Sequence, residues 1–235
     1  AFFGLGGYVM LIAGNFMGVN PFVAVVVGAV LAAAVAVPVS WVAFRLQGGY
    51  FAIGTWVIAE VFRLGFANVS AVGGGSGTTL TALRGIDRAT RESVTYWMAL
   101  ACVVASIALV YLFLRSKRGL ALLAIRDNEV AAISLGVRVV AIKRLVFVLS
   151  AFGCALAGGL WLATSISFQP KTYFSVQWTA YMIFMVLVGG IGTMEGPILG
   201  ALLFFAVETV WGGQGVLYLI GLGAIAMLFA LFLPK

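Results

Sequence analysis

The densest polar chemistry in the chain is one short run, Arg126-Asp127-Asn128-Glu129, inside the stretch LLAIRDNEVAAISLG from Leu122 to Gly136. On a helical wheel these side chains spread around the whole circumference. That is not the apolar stripe of a helix lying flat in a lipid interface. The pattern predicts a short helix that touches protein on more than one side, with Asp127 as its N-cap and Gly136 just past its end. The alternative is a solvated loop whose charges only fix topology. Two carboxylates, Glu60 and Glu208, fall within apolar runs, where an ionisable group is costly and often functional. Glu60 and Arg63 are spaced i, i+3 and are expected to pair on one helix face. Glu208 lies near the end of its run, within reach of the interface. Read functionally, either carboxylate would serve a proton relay.

Two glycine-rich segments resemble nucleotide loops only superficially. VGGGSGTTL, from Val72 to Leu80, lacks the lysine of a phosphate-binding loop. Its glycines and serine, Gly73, Gly74, Gly75, Ser76 and Gly77, read either as a flexible loop or as part of an outer gate or docking surface. In GGIGTMEG, Glu195 stands where a dinucleotide fingerprint needs glycine. Gly189, Gly190, Gly192, Thr193, Glu195 and Gly196 read either as a tight turn between helices or as a break lining a translocation path. Glu195 is also placed to cap a helix beginning near Pro197. Histidine is absent, and with it the commonest metal ligand and general base. Cys102 and Cys154 both lie in apolar runs, so neither a disulfide nor a metal site is expected. An enzyme site is not legible, and no cofactor is expected.

The elements that must hold these residues are set by composition. Of 235 residues, 63% are hydrophobic and 9% charged, against about 25% charged in a soluble domain. The apolar residues come in long runs and not in the alternation of membrane β-strands. The expected fold is all-α, a polytopic transmembrane helical bundle forming one domain over 1–235. Eight apolar segments are read, roughly 1–17, 22–44, 50–66, 96–114, 145–164, 178–190, 197–211 and 216–233. Residues 178–190 and 197–211 are short for a span of about 20 residues and predict short or broken helices. Ala151, Gly153, Ala155, Ala157, Gly158 and Gly159 predict a helix-packing face on 145–164. Trp41, Trp97, Trp161, Trp178 and Trp211 fall near span ends as interfacial anchors. The chain begins inside an apolar run, so an upstream span is expected to be missing.

The long linkers 67–95 and 115–144 flank a single span and therefore face opposite sides. The second holds seven basic residues (Arg115, Lys117, Arg118, Arg126, Arg138, Lys143, Arg144) against Asp127 and Glu129. By the positive-inside rule it is cytoplasmic and 67–95 lies outside. Counting spans then puts Arg45 and Lys235 inside and Lys171 outside. The net charge of +7 speaks to this topology before it speaks to partners.

AAISLG, from Ala131 to Gly136, resembles the EAA-type loop of ABC importer permeases, although Val130 occupies the position of that motif's Glu. The stretches GGYFAIGTWVIAEVFR, VGGGSG, RSKRGLALLAIRDNEVAAISLGV, KRLVFVLSAFGCALAGGL and GGIGTMEGPILGA follow one another in an order similar to that of the LivM-type permeases of branched-chain amino acid ABC importers. The amino-terminal part of that family, a span and a polar turn before AFFG, has no counterpart here. The resemblance implies a bacterial inner-membrane transport subunit with a cytoplasmic coupling helix made of Arg126, Asp127, Asn128, Glu129, Ala131, Ala132, Leu135 and Gly136. It implies a second related permease subunit, two ATP-binding subunits and a periplasmic binding protein as partners, besides membrane lipid, and no nucleic acid. The implied substrate is a branched-chain amino acid. Urea or short amides are the substrates of similar relatives. An ion-coupled secondary transporter using Glu60 or Glu208 is the competing reading.

Overall fold

A helix starts at Pro21 because its neighbour can cap it. The Asn20 side-chain oxygen accepts the Phe22 N–H at 3.0 Å, and proline supplies a preset φ in the first turn. This helix, α2 (Pro21–Ala43), has 23 residues. It covers about 34 Å, enough to cross a ~30 Å hydrocarbon core. In the computed structural model the described residues are 1–70, 73–83, 85–212, 220–225 and 227. The expected segment 216–233 lies mostly outside them, as do Val72, Arg84 and Lys235. The described residues belong to two compact units, Ala1–Phe174 and Ser175–Lys235.

In the first unit α1 (Phe2–Asn15), α2 and α7 (Val139–Ser165) pack together, with Leu5, Ala29, Ala32 and Ala155 at the contact. Helices in lipid gain little from burying apolar surface, so small residues that admit a neighbouring backbone decide where they meet. A Cβ added to Gly158 would sit 1.9 Å from the Phe3 carbonyl oxygen, and one on Gly6 would sit 2.0 Å from that of Ala155. The expected small face of α7 is therefore real at Ala151, Ala155, Gly158 and Gly159, which are buried. Gly153 faces open space and Ala157 is exposed, so these two are not part of it.

Helix α3 (Gly49–Ala67) meets this core through the partly buried Phe62 and Phe66, and α4 (Arg88–Arg115) lies at the edge of the unit. No residue of α3 is buried, and in α4 only Thr95 is. Helix α4 begins at Arg88, earlier than the expected 96, because the polar stretch before Tyr96 is itself helical. No glycine or proline interrupts it, and Arg88 and Glu92 pair at 2.7 Å across one turn. Helices α5 (Lys117–Asp127) and α6 (Glu129–Ser134) precede α7. Strands β1 (Thr78–Thr79) and β2 (Ser167–Phe168) pair antiparallel, Thr78 opposite Phe168, and α8 (Pro170–Tyr173) follows.

The second unit holds α9 (Gln177–Gly189) and α10 (Gly196–Trp211), short helices as expected. They touch backbone to backbone. A Cβ on Gly200 would sit 1.8 Å from the Met185 carbonyl oxygen. Phe184, Phe204 and Leu222 form the core of this unit. Five helical stretches among the described residues are long and apolar enough to cross a membrane: Pro21–Ala43, Gly49–Ala67, Arg88–Arg115, Val139–Ser165 and Pro170–Gly189, the last taking α8 and α9 together. The protein is an all-α polytopic membrane protein.

Candidate functional site

The polar island is a helix–break–helix and not one helix. Ser116 caps α5, its hydroxyl oxygen accepting the Gly119 N–H at 3.3 Å. Arg126 and Asp127 end that helix. Asn128, extended at φ −159° and ψ 109°, breaks the chain direction and starts α6. Its side-chain oxygen accepts the Ala131 N–H at 3.0 Å. The N-cap is thus Asn128, one residue beyond the expected Asp127. The backbone is still helical at Asp127, and the Asn128 N–H donates to the Ala124 carbonyl at 3.0 Å. Gly136 does stand just past the helix, at φ +81°. The Gly136 N–H donates to Ile133 and the Val137 N–H to Ala132, which closes the last turn in the double-bonded glycine motif.

One residue of α6 is buried and one is paired to α7. Ala132 is buried against Ile125 and Val139, where only a small side chain lets the three helices converge. Glu129 accepts from Lys143 Nζ at 2.7 Å and ties α6 to the first turns of α7. Arg126 Nε donates to the adjacent Asp127 at 3.3 Å. Val130 and Ile133 of α6 and Leu135 at its end are 74%, 58% and 80% exposed, and Ala131 is exposed too.

Gly74–Ser76 form a single 3-10 turn, Ser76 Oγ donates to the Gly73 carbonyl at 2.7 Å, and Gly75 faces open space. Gly77 holds φ +82°, and a Cβ there would meet the Phe168 carbonyl oxygen at 2.3 Å, so only glycine fits. The sequence reading missed Asn15, which pins this linker. Its Nδ2 donates to the Thr79 carbonyl at 3.0 Å, and its Oδ1 accepts from the Thr81 N–H at 2.9 Å and the Ala82 N–H at 3.2 Å. The one available signal was a lone amide side chain closing an apolar run. Leu80 and Leu83 are fully buried beneath it.

In the second unit, 190–195 make a tight turn between α9 and α10, with Gly190 at φ +108° and Gly192 at φ +93°. The expected cap, Glu195, occupies the right position but caps with its backbone alone, its carbonyl accepting from Ile198 and Leu199. The Thr193 hydroxyl oxygen takes the Gly196 N–H at 3.1 Å instead. Gly189 and Gly196 are in backbone contact, a Cβ on Gly189 falling 1.7 Å from the Gly196 carbonyl oxygen.

The remaining carboxylates are accounted for locally. Arg63 Nε donates to Glu60 at 2.8 Å and a second guanidinium nitrogen reaches the other carboxylate oxygen, so the expected i, i+3 pair forms. Glu208 is exposed near the end of α10. Among the described residues no group of three or more His, Cys, Asp or Glu side chains is placed to hold a metal ion.

These elements define a polytopic helical membrane protein with a short capped helix between two longer ones. The profile of the family described as "Branched-chain amino acid transport system / permease component" matches residues 1–233, and the chain belongs to that family. It is 25% identical to the high-affinity branched-chain amino acid transport system permease protein LivM of Salmonella typhimurium and 26% identical to LivM of Escherichia coli, in each case over 100% of this chain. It spans 61% of the length of each of those two relatives. A probable LivM of Methanocaldococcus jannaschii is 27% identical over 89% of this chain and 65% of its own length. No solved structure matches.

Proposed function

We propose that the chain is the permease subunit of an ABC importer for branched-chain amino acids, and that α6 couples it to a separate ATPase. The observation that carries this reading is α6 itself, fixed to α5 and α7 by Ala132 and Glu129 while presenting Val130, Ile133 and Leu135. The family membership supports it. The positive-inside rule favours 115–144 in the cytoplasm and 67–95 outside, in a bacterial inner membrane. The partners are then a second permease subunit, two ATP-binding subunits, one of which docks on α6, and a periplasmic binding protein that meets the 73–77 turn. Both units work as one permease domain, and the 189–196 turn lines the path. The chain makes and breaks no bond of the solute.

The mechanism follows from the anchoring. A displacement of α6 by a closing ATPase reaches α7 through the Ala132–Val139 contact and the Glu129–Lys143 pair. Helix α7 passes it to α1 and α2, because backbone contacts at Gly158 and Gly6 leave no side chain to absorb it. The bundle then switches between inward-facing and outward-facing states.

The test is co-purification from native membranes with a tag after Lys235. An ATP-binding subunit and a second permease should be recovered with the wild type. Charge reversal at Arg126 and Glu129, or Ile133→Asp with Leu135→Asp, should release the ATP-binding subunit and keep the second permease. A chain that purifies alone and moves solute along an ion gradient overturns the reading. Uptake of leucine against urea in vesicles separates the two substrate classes.

A further inference from the structure

Between α4 and α7 the first unit carries an open groove of about 780 Å³. Ala105, Ala108, Leu109 and Leu112 of α4 and Leu149 of α7 wall it, and Lys117 and Arg118 stand at one end. Leu112 is 66% exposed, so the groove opens to whatever surrounds the helices. From Ala105 to Arg115 α4 rises about 15 Å, which is the depth of one leaflet of a ~30 Å hydrocarbon core. A leaflet spanning that length would set the charged end at the interface, whichever side of the membrane that is. Lys117 and Arg118 make no salt bridge among the described residues. They occupy the first turn of α5, where a helix favours anions over cations, so their own helix does not compensate them.

We propose that this groove holds an anionic phospholipid, with an acyl chain along α4 and Leu149 and its phosphate against Lys117 and Arg118. The match is of length, polarity and charge together. A leaflet-deep apolar wall selects an acyl chain, and two uncompensated cations at its interfacial end select an anionic headgroup. A zwitterionic lipid fills the same wall but carries no net charge to the cations.

The test uses the chain with the subunits it assembles with, in mild detergent. It is incubated with phosphatidylglycerol or phosphatidylcholine of identical acyl chains and read by native mass spectrometry. Retention of phosphatidylglycerol should exceed that of phosphatidylcholine by on the order of tenfold. Lys117→Gln with Arg118→Gln should abolish that preference. Ala108→Phe, which fills the groove and leaves the cations, should reduce retention of both lipids. The Gln substitutions change exposed side chains only, so they keep the test valid if the Phe variant does not fold. Equal retention of the two lipids, or a preference unchanged by the Gln substitutions, overturns the proposal. So does displacement by glycerol phosphate, which carries the headgroup anion without the chains. A polypeptide cross-linked through Ala108→Cys overturns it too, because a protein would then fill the groove.

Discussion

At the scale of single residues, the sharpest contrast lies within one helix. Gly153 and Gly158 are five positions apart on α7, yet a Cβ meets nothing within 4 Å at the first and the Phe3 carbonyl oxygen at 1.9 Å at the second. Gly153→Ala should leave the melting temperature unchanged or slightly raised, since alanine favours a helix. Gly158→Ala must push α1 off α7 and should cost about 1–3 kcal/mol as an overpacked contact. Thermal unfolding of the two variants in detergent checks this, and equal melting points would mean that α1 and α7 do not touch there. Asn15 poses a second residue-scale test. Asn15→Ala removes the acceptor that holds the Thr81 and Ala82 N–H groups and the donor to Thr79. These bonds are mostly open to water, so their loss should cost about 0.5–1.5 kcal/mol. The loss should appear as faster amide exchange over 78–82 with little change in α2. Exchange that is unchanged there would show that β1–β2 pairing alone holds the linker.

Among the elements, α6 depends on its ends more than on its own length. Six residues are too few for a stable isolated helix, so the Asn128 cap, the Gly136 turn and the Ala132 contact must hold it. Gly136→Ala forces a β-carbon into a left-handed conformation and should cost about 1–2 kcal/mol. Glu129→Lys should cost less than about 1 kcal/mol, because its pair with Lys143 is largely exposed. Lys143→Glu combined with it should restore the tie. Amide protection of 129–136 ranks the variants, and a Gly136→Ala chain as protected as the wild type would refute the capping account. The same elements show what could be read from the amino acids alone. The spans 22–44, 50–66, 178–190 and 197–211 were legible because long apolar runs have few alternatives in lipid. The front ends of α4 and α7 were not, since a polar stretch such as 88–95 continues a helix without any change in hydropathy. The Gly136 terminus was legible from residue type. The cap at Asn128 was displaced by one residue, because Asp127 and Asn128 cap equally well and only the backbone decides between them. Asn15 and Gly6 were missed, as their partners lie far away in sequence.

On the scale of the whole molecule, orientation is the property on which the transport reading rests. Among the described residues α4 is the one membrane-length helix between the 73–77 turn and the α5–α6 island. If it crosses the membrane once, the two must face opposite sides, and the proposed topology, resting on the seven basic residues in 115–144, puts that segment in the cytoplasm. Two positions suit a labelling test. Gly75 is exposed, faces open space and has no positive φ, so Gly75→Cys fits without strain. Ile133 is 58% exposed on α6, so Ile133→Cys is open to reagent. The background replaces Cys102 and Cys154, both partly shielded in their helices. An impermeant maleimide added to intact cells should modify Gly75→Cys and spare Ile133→Cys until the membrane is opened. The reverse pattern would invert the molecule and place α6 where no cytoplasmic ATPase could reach it. Modification of both from one side would mean that α4 does not span. Its exposed leucines and valines would then need a protein partner along their whole length, and the leaflet-deep groove beside Lys117 would lose its lipid.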